Sequence, residues 1–195
     1  MLHKFYPIVP DAAWAARIVP LGVKTIQLRV KDADEAAVEQ EIGSALALCQ
    51  AYDCQLIVND YWRQAIDLGA DFVHLGQEDL ADADLAAIRR AGVKLGISTH
   101  THEELQIALD AEPDYVALGP IYETKLKVMK YDPQGLGRIG EWKRLIACPL
   151  VAIGGITLER APAVLAAGAD SIAVVTDVIA HPDPEQRVRN WLVAL

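Results

Sequence analysis

The sequence predicts a compact (β/α)8 TIM barrel, an α/β fold in a single domain over residues 1–195, on three observations. Eight short β-type runs alternate with helical patterns along the whole chain. Gly22, Gly69, Gly92 and Gly168 each stand shortly before a strand, where a helix end or turn favours positive φ. The 195 residues, 52% hydrophobic and 23% charged, suffice for one sizeable core but not for two comfortable domains. An open doubly wound sheet is the structural alternative, but the usual G-x-G-x-x-G is missing after the first run. Barrels of this kind typically need about 250 residues, so the helices and lower loops here must be close to minimal.

In chain order the runs are 5–9, 25–30, 55–58, 72–75, 94–97, 115–118, 150–153 and 171–175. In the second, Thr25-Ile26-Gln27-Leu28-Arg29-Val30-Lys31, strict alternation sends Ile26, Leu28 and Val30 to one face and Gln27, Arg29 and Lys31 to the other. In a half-exposed antiparallel strand those three would face water. In a parallel sheet covered on both sides they need an anionic partner, because unpaired buried charge is costly. The βα alternation of the whole chain favours the parallel sheet. The longest helix starts after Asp34, an N-cap type, and carries Val38, Ile42, Ala45, Leu46 and Cys49 at helical spacing, with Glu39, Glu41 and Gln50 on its other face.

Lys and Arg number 18 against 27 Asp and Glu, a net charge of -9 that opposes non-specific binding to nucleic acid or to anionic membranes. Any phosphate site must therefore be basic locally. Cys49, Cys54 and Cys148 are odd in number and lack C-x-x-C spacing, so they read as reduced, buried thiols rather than a disulfide framework or zinc site. The first residues carry no signal-peptide core, and no apolar run approaches the roughly 18 residues of a membrane span. A cytoplasmic protein is expected. A homo-oligomer is compatible with the sequence, which does not fix the oligomeric state.

In a barrel the residues just after each strand converge on one face, where the chemistry sits. That face would gather Gln27, Arg29, Lys31, Asn59, Asp60, Gly76 to Asp79, Ser98 to His100, the 119–135 loop, Gly154, Gly155, Val175 and Thr176. Asp60 and Asp79 end adjacent strands, about 5 Å apart at the backbone, so both carboxylates can reach one hard cation, for which Mg2+ is the natural choice. Singly, each would pass as a cap or turn residue. The Gly154-Gly155 pair and Val175-Thr176 follow strands seven and eight, where many barrels bind phosphate through backbone N–H groups. The 119–135 loop exceeds a structural connection and carries Lys125, Lys127 and Lys130, as a lid over an anionic substrate would. His74 reads as a hydrogen-bonded core histidine and His100 as an anchor for the loop after strand five.

Ordered motifs across nearly the whole chain resemble the thiamine phosphate synthase family. They are Gln-Leu-Arg-Val-Lys at 27–31, Asn-Asp at 59–60, His-Leu-Gly-Gln-Glu-Asp at 74–79, Gly-Ile-Ser-Thr-His at 96–100, Gly-Pro-Ile-Tyr at 119–122 and Ile-Gly-Gly-Ile at 153–156. The resemblance implies a Mg2+-dependent transferase that joins hydroxymethylpyrimidine diphosphate to hydroxyethylthiazole phosphate and releases diphosphate. It also implies Gln27, Arg29, Lys31, Asn59, Ser98 and Lys127 as pyrimidine diphosphate contacts, with Arg29, Lys31, Ser98 and Lys127 carrying the catalysis. Asp60 and Asp79 would be metal ligands, and Thr124, Gly155, Val175 and Thr176 would face the thiazole phosphate.

Two departures stand out. The family usually shows Thr-x-Thr-Lys in the lid, where this chain has Thr124-Lys125-Leu126-Lys127, so Leu126 replaces a hydroxyl; the 128–132 segment also drifts from the family pattern. Thr176 stands where Ser is common. The implied chemistry needs no triad, because the thiazole nitrogen attacks with its own lone pair and the protein's task is to stabilise departing diphosphate. Two alternatives stay open: a thiazole tautomerase, against which Asn59, Asp60, Asp79 and the full Gln-Arg-Lys strand argue, and a non-catalytic thiamine phosphate-binding protein.

Overall fold

The computed structural model describes residues 2–124 and 131–195. Strands β1 (Phe5–Val9), β2 (Thr25–Leu28), β3 (Gln55–Asn59), β4 (Phe72–Leu75), β5 (Lys94–Thr99), β6 (Tyr115–Leu118), β7 (Leu150–Ile153) and β8 (Ser171–Val174) form a closed barrel in sequence order. Each pairs in parallel with the next, and β1 pairs with β8. This is the (β/α)8 barrel expected from the alternation of strand and helix.

Period-two alternation divides the strand side chains between two cores. Phe5, Ile26, Leu28, Val58, Val73, Ile97, Val116, Leu150 and Ile172 point outward into the layer beneath the helices. Tyr6, Ile8, Ile57, Phe72, Tyr115, Ala117, Val151 and Ala173 fill the lumen. Beneath them the N-terminal segment crosses the bottom of the barrel: the Ser171 hydroxyl donates to the His3 carbonyl at 2.6 Å, and the His3 N–H donates to Thr25 Oγ1 at 3.3 Å.

The surrounding helices are α1 (Ala12–Ile18), α2 (Glu35–Ala51), α3 (Trp62–Asp67), α4 (Gln77–Asp82), α5 (Leu85–Arg90), α6 (His102–Asp110), α7 (Gly135–Leu145), α8 (Ala161–Ala166), α9 (Thr176–Ile179) and α10 (Pro184–Ala194). Asp34 caps α2 as expected, its carboxylate accepting from the Ala37 N–H at 2.9 Å. Asp11, Asp84, Thr101 and Asp183 cap their helices in the same way. The last helix returns to the start of the barrel, where Trp191 stacks on Phe5 with ring centroids 5.2 Å apart. Among the described residues no helix is long and apolar enough to cross a membrane. Cys49 and Cys54 are buried free thiols, whereas Cys148 is only half-buried.

The second strand is shorter than the 25–30 expected. Pairing to β1 persists through the Arg29 N–H, which donates to the Val9 carbonyl at 2.9 Å, and the chain then leaves the sheet, with Asp32 at a φ of 56°. Gln27 is therefore the one member of the polar set inside the lumen, while Arg29 and Lys31 are exposed at the rim. This corrects the expectation that both cations point into the protein: they sit where charge stays hydrated and can meet an arriving anion.

Candidate active site

Strand ends bring most of the expected residues to the C-terminal rim. Arg29 and Lys31 follow β2, Asn59 and Asp60 close β3, Asp79 lies in the first turn of α4, and Ser98 is in β5. Thr124 follows β6, Gly155 follows β7, and Val175 and Thr176 lead into α9. Lys127 and Leu126 lie outside the described residues.

Lys31 Nζ donates to Asp60 Oδ2 at 2.6 Å. Asp60 adopts a φ of 67°, a left-handed conformation that Asp tolerates better than most residues, and its N–H donates to the His74 carbonyl at 2.9 Å. Asp79 stands beside it. Partial burial, followed by the adjacent Asp60 carboxylate, raises the Asp79 carboxyl above its ordinary range, with Lys31 acting in the opposite direction. Among the described residues no group of three or more His, Cys, Asp or Glu side chains gathers around one point. Two mutually repelling carboxylates nevertheless fit a hard divalent cation, which binds through one or two carboxylates and completes its shell with water and phosphate oxygens.

Inside the rim a run of hydrogen bonds crosses the lumen. Gln27 Nε2 donates to Tyr6 Oη at 2.5 Å, and Tyr6 Oη lies 2.9 Å from Tyr115 Oη. Tyr115 Oη is 2.7 Å from His74 Nδ1, and His74 Nε2 is 2.8 Å from Ser98 Oγ. Burial lowers the His74 pKa to about 4, against the pull of Asp60, and burial raises both phenols above their ordinary value. His74 is the hydrogen-bonded core histidine expected. His100 is likewise an anchor: its Nδ1 lies 2.8 Å from Glu104 Oε2, and its ring stacks on Tyr131 at 4.4 Å.

Opposite this chain lie the glycine turn and the start of α9. Gly155 has a φ of 64°, and a Cβ there would meet the Glu123 carbonyl oxygen at 2.4 Å, so only glycine lets the turn press against the loop after β6. The Arg160 guanidinium donates to the Gly155 carbonyl and lies 4.4 Å from the centroid of the Tyr122 ring. Arg187, from α10, reaches both oxygens of Glu159 and both of Asp177 at 2.8 to 3.0 Å. Trp191 Nε1 adds a bond of 2.7 Å to Asp177. This cluster ties the turn after β7 to the start of α9, the two segments expected to hold phosphate.

Sequence reasoning missed Tyr6, Tyr115 and Arg187. One signal was present for Tyr115, namely Gly96 in the middle of a strand, which marks close approach by another group. The Tyr115 ring fills that space: a Cβ on Gly96 would lie 2.0 Å from its Cζ.

The pattern of the thiamine monophosphate synthase family matches residues 6–178. The chain is 62% identical over 194 residues to a thiamine-phosphate synthase of Rhizobium etli, covering 99% of this chain and 95% of that one. It is 52% identical over 179 residues to a thiamine-phosphate synthase of Cronobacter sakazakii, covering 91% and 85%. A solved thiamine phosphate pyrophosphorylase from Pyrococcus furiosus superposes with a TM-score of 0.87 at 27% identity, covering 98% of this chain and 94% of that one. A match over this much of the barrel and at this identity assigns the chain to the thiamine monophosphate synthase family.

Proposed function

We propose that the chain is a transferase that joins hydroxymethylpyrimidine diphosphate to hydroxyethylthiazole phosphate, with a divalent cation, for which Mg2+ fits best, at Asp60 and Asp79. The observation that carries this reading is the grouping of Lys31 and Asp60, just beyond β2 and β3, with Asp79 in the first turn of α4, and with Arg29 exposed on the same rim. Family membership supplies the substrates.

In the reaction the carbon–oxygen bond of the pyrimidine methylene breaks, diphosphate leaves with the electron pair, and the thiazole nitrogen lone pair forms the new carbon–nitrogen bond. No proton need be removed from the nucleophile. A divalent cation, when bound, supplies positive charge against the diphosphate. Arg29 and Lys31 add charge at the rim, and Lys127 is proposed to do so from the lid. Gln27 and Asn59 orient the pyrimidine diphosphate, and Ser98 offers its hydroxyl to it. Thr124, Gly155, Val175 and Thr176 seat the thiazole phosphate, with backbone N–H groups as the donors suited to it. The packed side chains of the lumen below the rim keep bulk water from one side of the developing pyrimidine cation.

Purified protein mixed with both substrates and Mg2+ should yield thiamine phosphate by mass spectrometry, and excess chelator should abolish the yield. Absence of product with both substrates and metal present would overturn the reading, and undiminished yield in chelator would remove the metal from it.

A further inference from the structure

The lumen hydrogen bonds run from Gln27 to Ser98 through Tyr6, Tyr115 and His74, with Gln27 also reaching Tyr115, and the orientation of the Gln27 amide sets the donor at their start. Gln27 Nε2, an amide nitrogen, can only donate, and it donates to Tyr6 Oη. Each hydroxyl along the chain carries one proton. Among the described residues Tyr115 Oη is the one partner of Tyr6 Oη besides the Gln27 donor, so the Tyr6 proton passes to Tyr115 Oη, and the Tyr115 proton passes on to His74 Nδ1. His74 Nδ1 must then be bare, so the ring carries its proton on Nε2 and donates to Ser98 Oγ. A doubly protonated ring would leave the Tyr115 proton without an acceptor in a place where the residue has no exposure, at the cost of an unmet buried donor. The proton of Ser98 is the one left over, free to point out of the chain.

We propose that Gln27 sets the proton polarity of this chain, with Tyr6, Tyr115 and His74 as positioning residues, so that Ser98 meets the diphosphate as a hydrogen-bond donor and not as a base. The proposal rests on the reading of the rim as a diphosphate-releasing site. A donor aimed at oxygen that gains negative charge stabilises its departure, whereas a serine that had given its proton toward His74 would present only lone pairs and oppose it. The arrangement links five strands, β2, β1, β6, β4 and β5, through one file of polar groups set among the apolar side chains of the lumen. Buried polar groups are retained where each is satisfied, and with the Gln27 amide nitrogen toward Tyr6 the requirement of one proton per hydroxyl leaves a single consistent assignment.

Histidine labelled with 15N in the full chain reads the tautomer directly, with the His74 ring signals assigned by their loss in His74→Asn. The expected result is an Nε2–H ring with a bare Nδ1 in the protein without substrate; an Nδ1–H ring overturns the proposal. In Gln27→Met, which removes the amide donor and keeps the length of the side chain, a mixed tautomer is expected, and an undisturbed Nε2–H ring would refute the role given to Gln27. In Tyr115→Phe we expect kcat to fall about tenfold, as for the loss of one oriented hydrogen bond, while KM for thiazole phosphate stays within about twofold. Equal damage to the KM of both substrates would indicate a structural role only and would overturn it. Because the tautomer needs no turnover to be read, a protein that makes no thiamine phosphate counts against the synthase reading and not against the polarity of the chain.

Discussion

The Lys31 ammonium lies 2.6 Å from the Asp60 carboxylate, joining the loop after β2 to the end of β3. Lys31 is half-exposed, so this pair is worth little to the fold, but it occupies a carboxylate that a cation would also use. Replacing Lys31 with Met should therefore have opposite effects on the two ligands. Metal alone should bind a fewfold tighter, since a competing charge worth about 1 kcal/mol is gone, while KM for the pyrimidine diphosphate should rise about tenfold. Calorimetric titration with Mg2+ checks the first and steady-state kinetics the second; weaker metal binding in the variant would show that the carboxylate is not shared.

Arg187 holds Glu159 and Asp177 together with its planar fork, and Lys cannot reproduce that geometry. Arg187→Lys should cost about 1 to 3 kcal/mol in denaturant unfolding. It should also raise KM for thiazole phosphate and leave KM for the pyrimidine diphosphate unchanged, because both tethered segments lie on the thiazole side. Equal changes in the two KM values would mean that the clamp serves the fold alone.

Gly96 leaves the space that the Tyr115 ring fills. A methyl group there forces the ring off its rotamer or the strands apart, so Gly96→Ala should destabilise by roughly 1 to 3 kcal/mol, visible as a lowered Tm. A variant as stable as the parent would show that Tyr115 has another place to go.

His74 has a pKa of about 4 in the folded chain, held down by burial from an ordinary 6.5. Between those values the unfolded chain takes up a proton that the folded chain refuses. Stability should therefore fall as pH drops from about 6.5 toward 4, with no further loss from this group below that, for a total on the order of 3 kcal/mol. Urea unfolding at about pH 7 and about pH 4 compares the two ends, and His74→Asn should flatten the slope. An unchanged slope in that variant would mean that His74 is not the group responsible.

The sequence alone determined the eight strands and the identity of the rim, because both follow from short-range rules. Alternation at 25–31 needs only neighbouring residues, Asp34 caps its own helix, and any residue that ends a parallel strand of a barrel must reach the same face. That rule places Asp60, which follows β3, whereas Asp79, expected at the end of a strand, meets it from the first turn of α4. Only the tertiary structure decided where Arg29 and Lys31 point, since that depends on β2 leaving the sheet at Leu28. It alone joined Tyr6 to Tyr115 across 109 residues, and Arg187 to Glu159 across 28. Such pairings are set by closure of the barrel and by how each helix docks against it. They carry no local period, and so leave no trace in the order of residues beyond a glycine that makes room for a ring.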